Sequence, residues 1–240
     1  MLDRVELCLK SHQKQLCDFY DPFFIKLTSD ILRGIKGIDF IAWGGYEQAE
    51  RKKICLVPEG MVIEPEDYEI ALVNFQGSFR FFNNNHRHVL GALLASGLRR
   101  DKIGDILVTD KACQVLVDDT VTQYLIAEIV SIGPVVVSGK KIPIQDLIVP
   151  PIFFKEFRAV VASMRLDAVI SVGFGLSRNK SSEEIRKQKV KLNWQEIAQP
   201  DCLIEEGDVV SLKGRGRLKV LKILGKTKKD RISLVLGIYT

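Results

Sequence analysis

Between residues 68 and 150 the hydrophobic pattern switches between a period of two and a period near 3.6. The order of those switches leaves few folds open. "YEIALVNF" (68–75) alternates as a half-buried strand does. "HRHVLGALLASG" (86–97) places Val89, Leu90, Leu93 and Leu94 on one helical face, with Gly97 to stop the helix. "DILVTD" (105–110) and "CQVLVDD" (113–119) follow as short strands. "DTVTQYLIAEIVSIG" (119–133) sets Val121, Leu125, Ile129 and Ile132 on one face and ends at Gly133-Pro134. "VVVS" (135–138) reads as a closing strand. The sum, β-α-β-β-α-β, is the ferredoxin-like arrangement.

The flanking segments read differently. In 1–67, Leu2, Val5, Leu9 and Leu16 fit one helical face. "DPFFIKLTSDILRG" (21–34) is a second helix, with Asp21 to cap it, Pro22 at its first position and Gly34 at its stop. "IDFIAW" (38–43) and "KKICLV" (52–57) are strands around "GGYEQAER". Pro150-Pro151 fits neither a helix interior nor a central strand, so "IVPPIFF" (148–154) reads as a joint. After it, "RLDAVISVGFG" aligns Leu166, Val169, Ile170 and Phe174 as a helical stripe, and "SRNKSSEEIRKQ" is a polar helix capped by Ser177. "KVKLN", "DVVSLK", "RLKVLKIL" and "RISLVLGIY" follow as strands. The expectation is an α+β chain of three domains: 1–67 as a helical and hairpin α/β domain, 68–150 ferredoxin-like, and 155–240 mixed.

Charge is spread unevenly over these parts. Residues 163–240 hold 16 Lys/Arg against 9 Asp/Glu, whereas residues 1–162 hold 19 against 21. The overall +5 therefore hides a basic C-terminal third, the usual footprint of a polyanionic partner. The densest stretch, "SLKGRGRLKVLKILGKTKKDR" (211–231), carries nine Lys or Arg and one acid, Asp230. Its interleaved Leu, Val and Ile mark folded strands rather than a disordered tail.

Several classes are disfavoured. No apolar run approaches the roughly 20 residues that span a bilayer. "MLDRVELCLKSHQKQL" has acids and no apolar block, unlike a secretory leader. Five scattered cysteines, with no Cys-x-x-Cys pair, argue against a disulfide framework or zinc site and for a reducing compartment. His86 and His88, two apart, lack the spacing of a helical zinc pair and read as capping or packing residues. The expectation is a cytoplasmic protein without metal, cofactor, membrane or small-molecule substrate.

The third segment resembles the RNA-binding domain named after ribosomal protein S-four, through Arg165-Leu166-Asp167, Ser177-Arg178, Val190-x-Leu192-Asn193 and Gly207-Asp208-Val209-Val210. "GGYEQAERKK" (44–53), "HRHVLGALLASGLRRDKIGDILV" (86–108), "SLKGRGR" (211–217) and "GKTKKDR" (225–231) extend the resemblance to nearly the full length, to the bacterial and plastid YlmH family. What that resemblance implies is an N-terminal domain, an RRM-like middle domain and the C-terminal S-four-like RNA-binding domain. It also implies a role in ribosome-associated quality control, on rRNA and tRNA of the large ribosomal subunit. The compartment is then the bacterial cytoplasm or a plastid stroma. The resemblance, rather than the charge, favours RNA over DNA.

The residues add their own argument. Arg178 and Lys180 fall in the first turn after Ser177, where the helix dipole disfavours each cation by about a few tenths of a kcal/mol. A bound phosphate reverses that cost; a solvated helix face that tolerates it is the equal alternative. Lys187, Lys189 and Lys191 continue the charge, with Lys189 and Lys191 on one strand face. Arg215 and Arg217 lie between glycines that let a phosphate approach, and Lys228, Lys229 and Arg231 lie at a turn. With Arg165 these form the candidate RNA-binding set, against the alternative of edge-strand charge that guards against aggregation. A secondary set is Tyr46, Arg51, Lys52 and Lys53, where a hairpin with solvated charges is the simpler reading on physics alone. Arg87, Arg99 and Arg100 either contact RNA or serve as ordinary surface charge.

An enzyme needs a site in residues 1–150. No Gly-x-Gly-x-x-Gly loop, nucleophile elbow, metal cluster or pseudouridine-synthase motif is present, and Asp101 and Asp105 beside cations read as salt bridges. The expectation is a non-catalytic RNA-binding protein. An RNA-modifying enzyme that uses the C-terminal domain to hold substrate is the alternative, and a protein scaffold ranks last.

Overall fold

The structure, a computed structural model, describes residues 1–79, 85–110 and 112–239. The chain is α+β and divides into two compact units between Pro150 and Pro151. That is where fixed φ and two missing N–H groups interrupt both helix and ladder.

The first unit opens with α1 (Leu2–Ser11), which ends at His12 in the left-handed region (φ 51°) with its N–H on the Cys8 carbonyl. The helix therefore stops before Leu16. The seven-residue spacing from Leu9 matched a helical phase, but Leu16 belongs to β1 (Gln15–Tyr20), a strand the pattern did not reveal. The helix α2 (Pro22–Leu32) begins as expected, its Phe24 N–H donating to the Asp21 carboxylate (3.0 Å). Then β2 (Ile38–Trp43) and β3 (Lys52–Pro58) complete an antiparallel sheet in the order β1-β3-β2.

The second half of this unit runs β4 (Ile70–Gln76), α3 (Asn85–Ala95), β5 (Ile103–Val108), β6 (Ala112–Asp118) and α4 (Thr122–Glu128). A small hairpin, β7 (Ser131–Ile132) with β8 (Val135–Val136), precedes β9 (Ser138–Ile142). The sheet order is β5-β6-β4-β9 and every pairing is antiparallel. That is the ferredoxin-like order, with one shift from expectation. Residues 135–136 fold back on 131–132 over the Gly133 turn, and the closing strand is 138–142, paired from Leu72↔Ile142 to Gln76↔Ser138. Its sequence, SGKKI, carries an edge strand's lysines rather than an apolar run, so the valines just before it drew the assignment away.

One face of this sheet, through Ala71, Val73, Phe75, Val115 and Val117, packs on α3 and α4 via Val89, Leu93 and Leu125. The other face is also covered. Leu72 and Leu116 are fully buried, and Gln114 donates to the Asp146 carbonyl (3.1 Å) and accepts from the Ile148 N–H (2.7 Å). An RRM stacks bases on that second face; here it is closed.

The second unit begins with β10 (Phe154–Val161), another strand not expected from the pattern, paired along its length with the last strand. Then come α5 (Leu166–Phe174), α6 (Arg178–Arg186), β11 (Val190–Leu192), β12 (Gln195–Glu196), β13 (Val209–Leu212), β14 (Gly216–Lys226) and β15 (Ile232–Tyr239). They form one antiparallel sheet, β10-β15-β14-β13-β11-β12. Its buried face (Leu218, Val220, Leu234, Leu236) packs on Leu166, Val169, Ile170 and Ile185 of the two helices. At about 25 cal/mol per Å² of apolar surface, this burial is what holds so short a pair of helices in place.

Candidate nucleic-acid interface

The C-terminal motif residues fall into two groups with different work. Asn193 adopts the left-handed region (φ 48°), donates to Asp208 (2.7 Å) and accepts from the Val209 N–H (2.9 Å). Asp208 in turn accepts from the Glu205 N–H (2.7 Å), and the Gly207 N–H donates to the Val220 carbonyl (2.8 Å). This half of the motif builds a loop. The other half builds charge at the surface.

Asp167, in the first turn of α5, is 3 % exposed yet ionised between two arginines. Arg165 reaches it through Nε and Nη2 (3.3 and 3.2 Å), Arg178 through Nη2 (2.9 Å), and the Ser182 hydroxyl donates at 3.4 Å. Burial alone would raise the Asp167 carboxyl; the two guanidinium groups outweigh it and hold it below the usual carboxylate range. One buried carboxylate thus fixes two half-exposed guanidinium groups and leaves a net positive charge, with further N–H donors of both forks available.

The β13–β14 turn reaches the other end of α5. Gly214 (φ 83°) and Gly216 (φ 97°) take left-handed backbone that side chains rarely adopt, which turns the chain tightly around Arg215. Arg215 Nη1 donates to the Phe174 carbonyl (3.3 Å) at the end of α5, three residues before Ser177. Ser177 caps α6 by accepting the Lys180 N–H (3.2 Å). Arg165 and Arg178 thus meet at Asp167 in the first turn of α5, and Arg215 reaches the last turn of the same helix; Lys213, whose N–H donates to the Lys189 carbonyl (2.9 Å), and Arg215 are exposed and in no ion pair among the described residues.

The other cations of the candidate set stand in different surroundings. Lys180 pairs with Glu183 and Glu184 (3.0 and 3.3 Å), Lys187 with Glu183, Lys189 with Glu184 (3.0 Å) and Lys191 with Glu196 (3.6 Å). The lysines around α6 therefore each have a carboxylate partner within the fold, and the first-turn placement of Arg178 and Lys180 is answered by Asp167, Glu183 and Glu184 rather than requiring an anion. The stretch 211–231 is also not one patch. Its two turns lie at opposite ends of the eleven-residue β14, on the order of 30 Å apart. Lys228, Lys229 and Arg231 sit exposed at the far turn. Arg217 points away from the core and lies over the Trp194 and Tyr239 rings (5.8 and 6.0 Å).

In the first unit, "GGYEQAERKK" is a packed knot. A Cβ on Gly44 would meet the Arg51 carbonyl at 2.4 Å, so only glycine fits. Asp105 of β5 collects the loop, accepting from the Tyr46 hydroxyl (2.9 Å) and the N–H groups of Glu50 and Arg51 (2.7 and 3.0 Å). Burial, and then the Asp105 charge, push the Tyr46 hydroxyl far up. Lys53 is 1 % exposed and bonds Asp118 (3.0 Å), which Lys102 also reaches (3.1 Å) on its way to Asp18 (2.7 Å). Lys53 is thus sealed on a buried carboxylate and is no surface contact, and the Tyr46 hydroxyl, half-buried, is spent on Asp105. Arg51 and Arg100 are half-buried on backbone carbonyls. Arg99 is exposed and pairs with Asp101; Arg87 is exposed on α3, as are His86 and His88 in its first turn; Lys52 is half-buried.

Known proteins match this chain along its length. Residues 1–61 match the family described as "YlmH, N-terminal", 64–146 that described as "Putative RNA-binding domain in YlmH", and 164–210 the S4 domain. The chain is 35 % identical over 222 residues to "Ribosome-associated protein quality control protein P2" of Bacillus subtilis (strain 168), covering 92 % of this chain and 86 % of that protein. The chain belongs to the YlmH family. A solved structure, "Cell division protein ylmH from Streptococcus pneumoniae", shares the fold with a TM-score of 0.53 at 24 % identity, over 61 % of this chain and 89 % of that one.

As a YlmH protein it carries an S4 domain whose matched range, 164–210, ends just before Lys213 and Arg215. Sequence reasoning passed over Lys213 as a site residue and gave Asp167 no role. Adjacency of Lys213 to Gly214 was the available signal for the first; nothing in the linear text showed that Asp167 meets Arg178.

Proposed function

We propose that this YlmH protein is a non-catalytic RNA-binding factor that acts on the large ribosomal subunit in quality control, engaging rRNA and tRNA by their phosphates. The observation that carries this reading is the charge around the α5–α6 helix pair: two guanidinium groups held by Asp167, and the exposed turn of Lys213 and Arg215 tied to the end of α5 through Arg215. Fixed, forked donors suit a sugar-phosphate backbone and carry no base code. The name of the Bacillus subtilis relative supports the ribosomal setting, and the reading places the protein in the cytoplasm.

Sedimentation of a lysate tests the setting. The protein is expected in large-subunit fractions, enriched when translation stalls; its absence there under stalling contradicts the proposal. Incubation with ribosomal RNA followed by nucleoside mass spectrometry tests the absence of catalysis, and a new modified nucleoside contradicts it.

A further inference from the structure

The first unit holds a second cationic site that the S4 surface does not account for. An open cleft of about 460 Å³ lies between the β1–α2 junction and the turn before β5, lined by the aromatic rings of Phe19, Tyr20 and Phe24, by Arg51, Arg99 and Arg100, and by Asp21 and Asp101. Its volume falls within the range of small-ligand sites.

Two features of this lining are unusual for a surface dent. The first is a pair of like charges. Arg51 Nε and Arg100 Nη1 donate to the same carbonyl, that of Ile103 (2.9 and 2.6 Å), so the two guanidinium groups lie side by side. Arg51 Nη2 adds the Phe19 and Arg100 carbonyls (2.8 and 3.2 Å). Neither arginine is in an ion pair among the described residues, although both are partly buried. The carboxylates nearby are committed elsewhere: Asp21 caps α2, Asp101 pairs with Arg99, and Asp105 holds Tyr46 and the 50–51 backbone. Burial, and then the Arg51 charge, lower Arg100 to about 10. Two partly desolvated cations whose hydrogen bonds go to neutral carbonyls, with Asp21 and Asp105 acting on both only through space, can take a further anion.

The second feature says what kind of anion. Tyr20 and Phe24 stack face to face along the cleft (centroids 4.2 Å apart, 14° between planes), a platform that a further aromatic ring extends. Asp101, also on the lining, holds a buried Oδ1 with no hydrogen-bond donor among the described residues. Phosphate donors and an aromatic platform within one cleft match the phosphate and base of a nucleotide.

We propose that this cleft receives one nucleoside monophosphate unit, with its phosphate on Arg51 and Arg100 and its base on the Tyr20–Phe24 stack. The unit is either a free nucleotide or an unpaired residue of an RNA chain. The site stands independently of the S4 surface.

Calorimetric titration of the full chain with AMP, UMP, inorganic phosphate, a one-base-bulged RNA hairpin and its fully paired counterpart tests this. Mononucleotides are expected to bind about tenfold or more tighter than phosphate, and Arg100→Gln to weaken them about tenfold. Tyr20→Leu is expected to weaken nucleotides and leave phosphate unchanged; melting curves check that both variants fold, and Tyr20→Leu serves alone if Arg100→Gln does not. If the bulged hairpin exceeds the paired one and loses that excess in either variant, the unit comes from RNA; if only mononucleotides respond, it is free. A Lys213→Ala/Arg215→Ala protein separates the two sites, losing the RNA binding proposed above while keeping mononucleotide affinity. Nucleotides no tighter than phosphate, or nucleotide and bulge binding both indifferent to Arg100→Gln and Tyr20→Leu, overturn the proposal.

Discussion

Two stretches of this chain look alike on paper: "GGYEQAERKK" near the start and "LKGRGR" near the end both set glycines beside cations. In the fold they are opposites. The glycine at 44 is there because a carbonyl fills the space of its Cβ, and the cation at 53 is sealed against Asp118. The glycines at 214 and 216 are there to turn an exposed hairpin, and Lys213 and Arg215 meet no carboxylate among the described residues. What separates them is not local text but partners that arrive from far along the chain. Asp105 and Asp118 meet the first stretch from more than fifty residues away, and no described carboxylate does the same for Lys213 and Arg215. A basic run is a binding surface only where the fold leaves it unanswered.

The contrast can be broken most severely from the buried side. Asp118→Ala strands the Lys53 ammonium in the interior and is expected to cost about 3–5 kcal/mol in urea unfolding. A cost of less than about 1 kcal/mol would mean that Lys53 is not truly enclosed. On the binding side, Asp167→Asn removes the charge that aligns Arg165 and Arg178. RNA affinity is expected to fall about tenfold even though no cation has been removed, as a fluorescence titration would show. Affinity that instead rises, as added net positive charge alone would dictate, would show that orientation does not matter here.

The buried network also sets a pH signature. Burial pushes the Asp118 carboxyl up, but hydrogen bonds from Thr120 and Lys53 outweigh it and bring it from 3.8 down to about 2. A carboxyl depressed on folding stabilises above its ordinary value and loses that contribution as pH falls through the folded one. Stability is therefore expected to drop by about 1.5 kcal/mol, allowing for partial solvent screening, between about pH 4 and pH 2. Asp118→Asn should flatten that part of the curve; an unchanged slope would assign the acid sensitivity elsewhere. The smallest effect belongs to the cations around α6. Lys187→Ala and Lys189→Ala remove lysines already paired with Glu183 and Glu184, and RNA affinity is expected to stay within about threefold by filter binding.

Much of the fold was written in periodicity. The α2 cap at Asp21, the α6 cap at Ser177 and the ferredoxin-like order of 70–142 all follow from residues within a few positions of one another. The strands 15–20 and 154–161 were not legible, because neither alternates cleanly and each is defined by its ladder to a strand distant in sequence. The site divides along the same line. Lys213 and Arg215 are recognisable from their turn, whereas the burial of Lys53, the anchoring of Tyr46 and the carboxylate beneath Arg178 depend on side chains brought together only by the tertiary fold.

The central claim is that the arginines on Asp167 and the turn of Lys213 and Arg215, rather than the carboxylate-paired lysines around α6, hold RNA. Its most direct test is the salt dependence of full-chain binding to structured ribosomal RNA. Arg178→Ala/Lys213→Ala/Arg215→Ala takes away three phosphate-binding cations and is expected to flatten the log–log slope by about 2 to 3, while Lys180→Ala/Lys187→Ala/Lys189→Ala shifts it by less than about 1. The reverse ranking, or equal slopes in the two variants, contradicts the account.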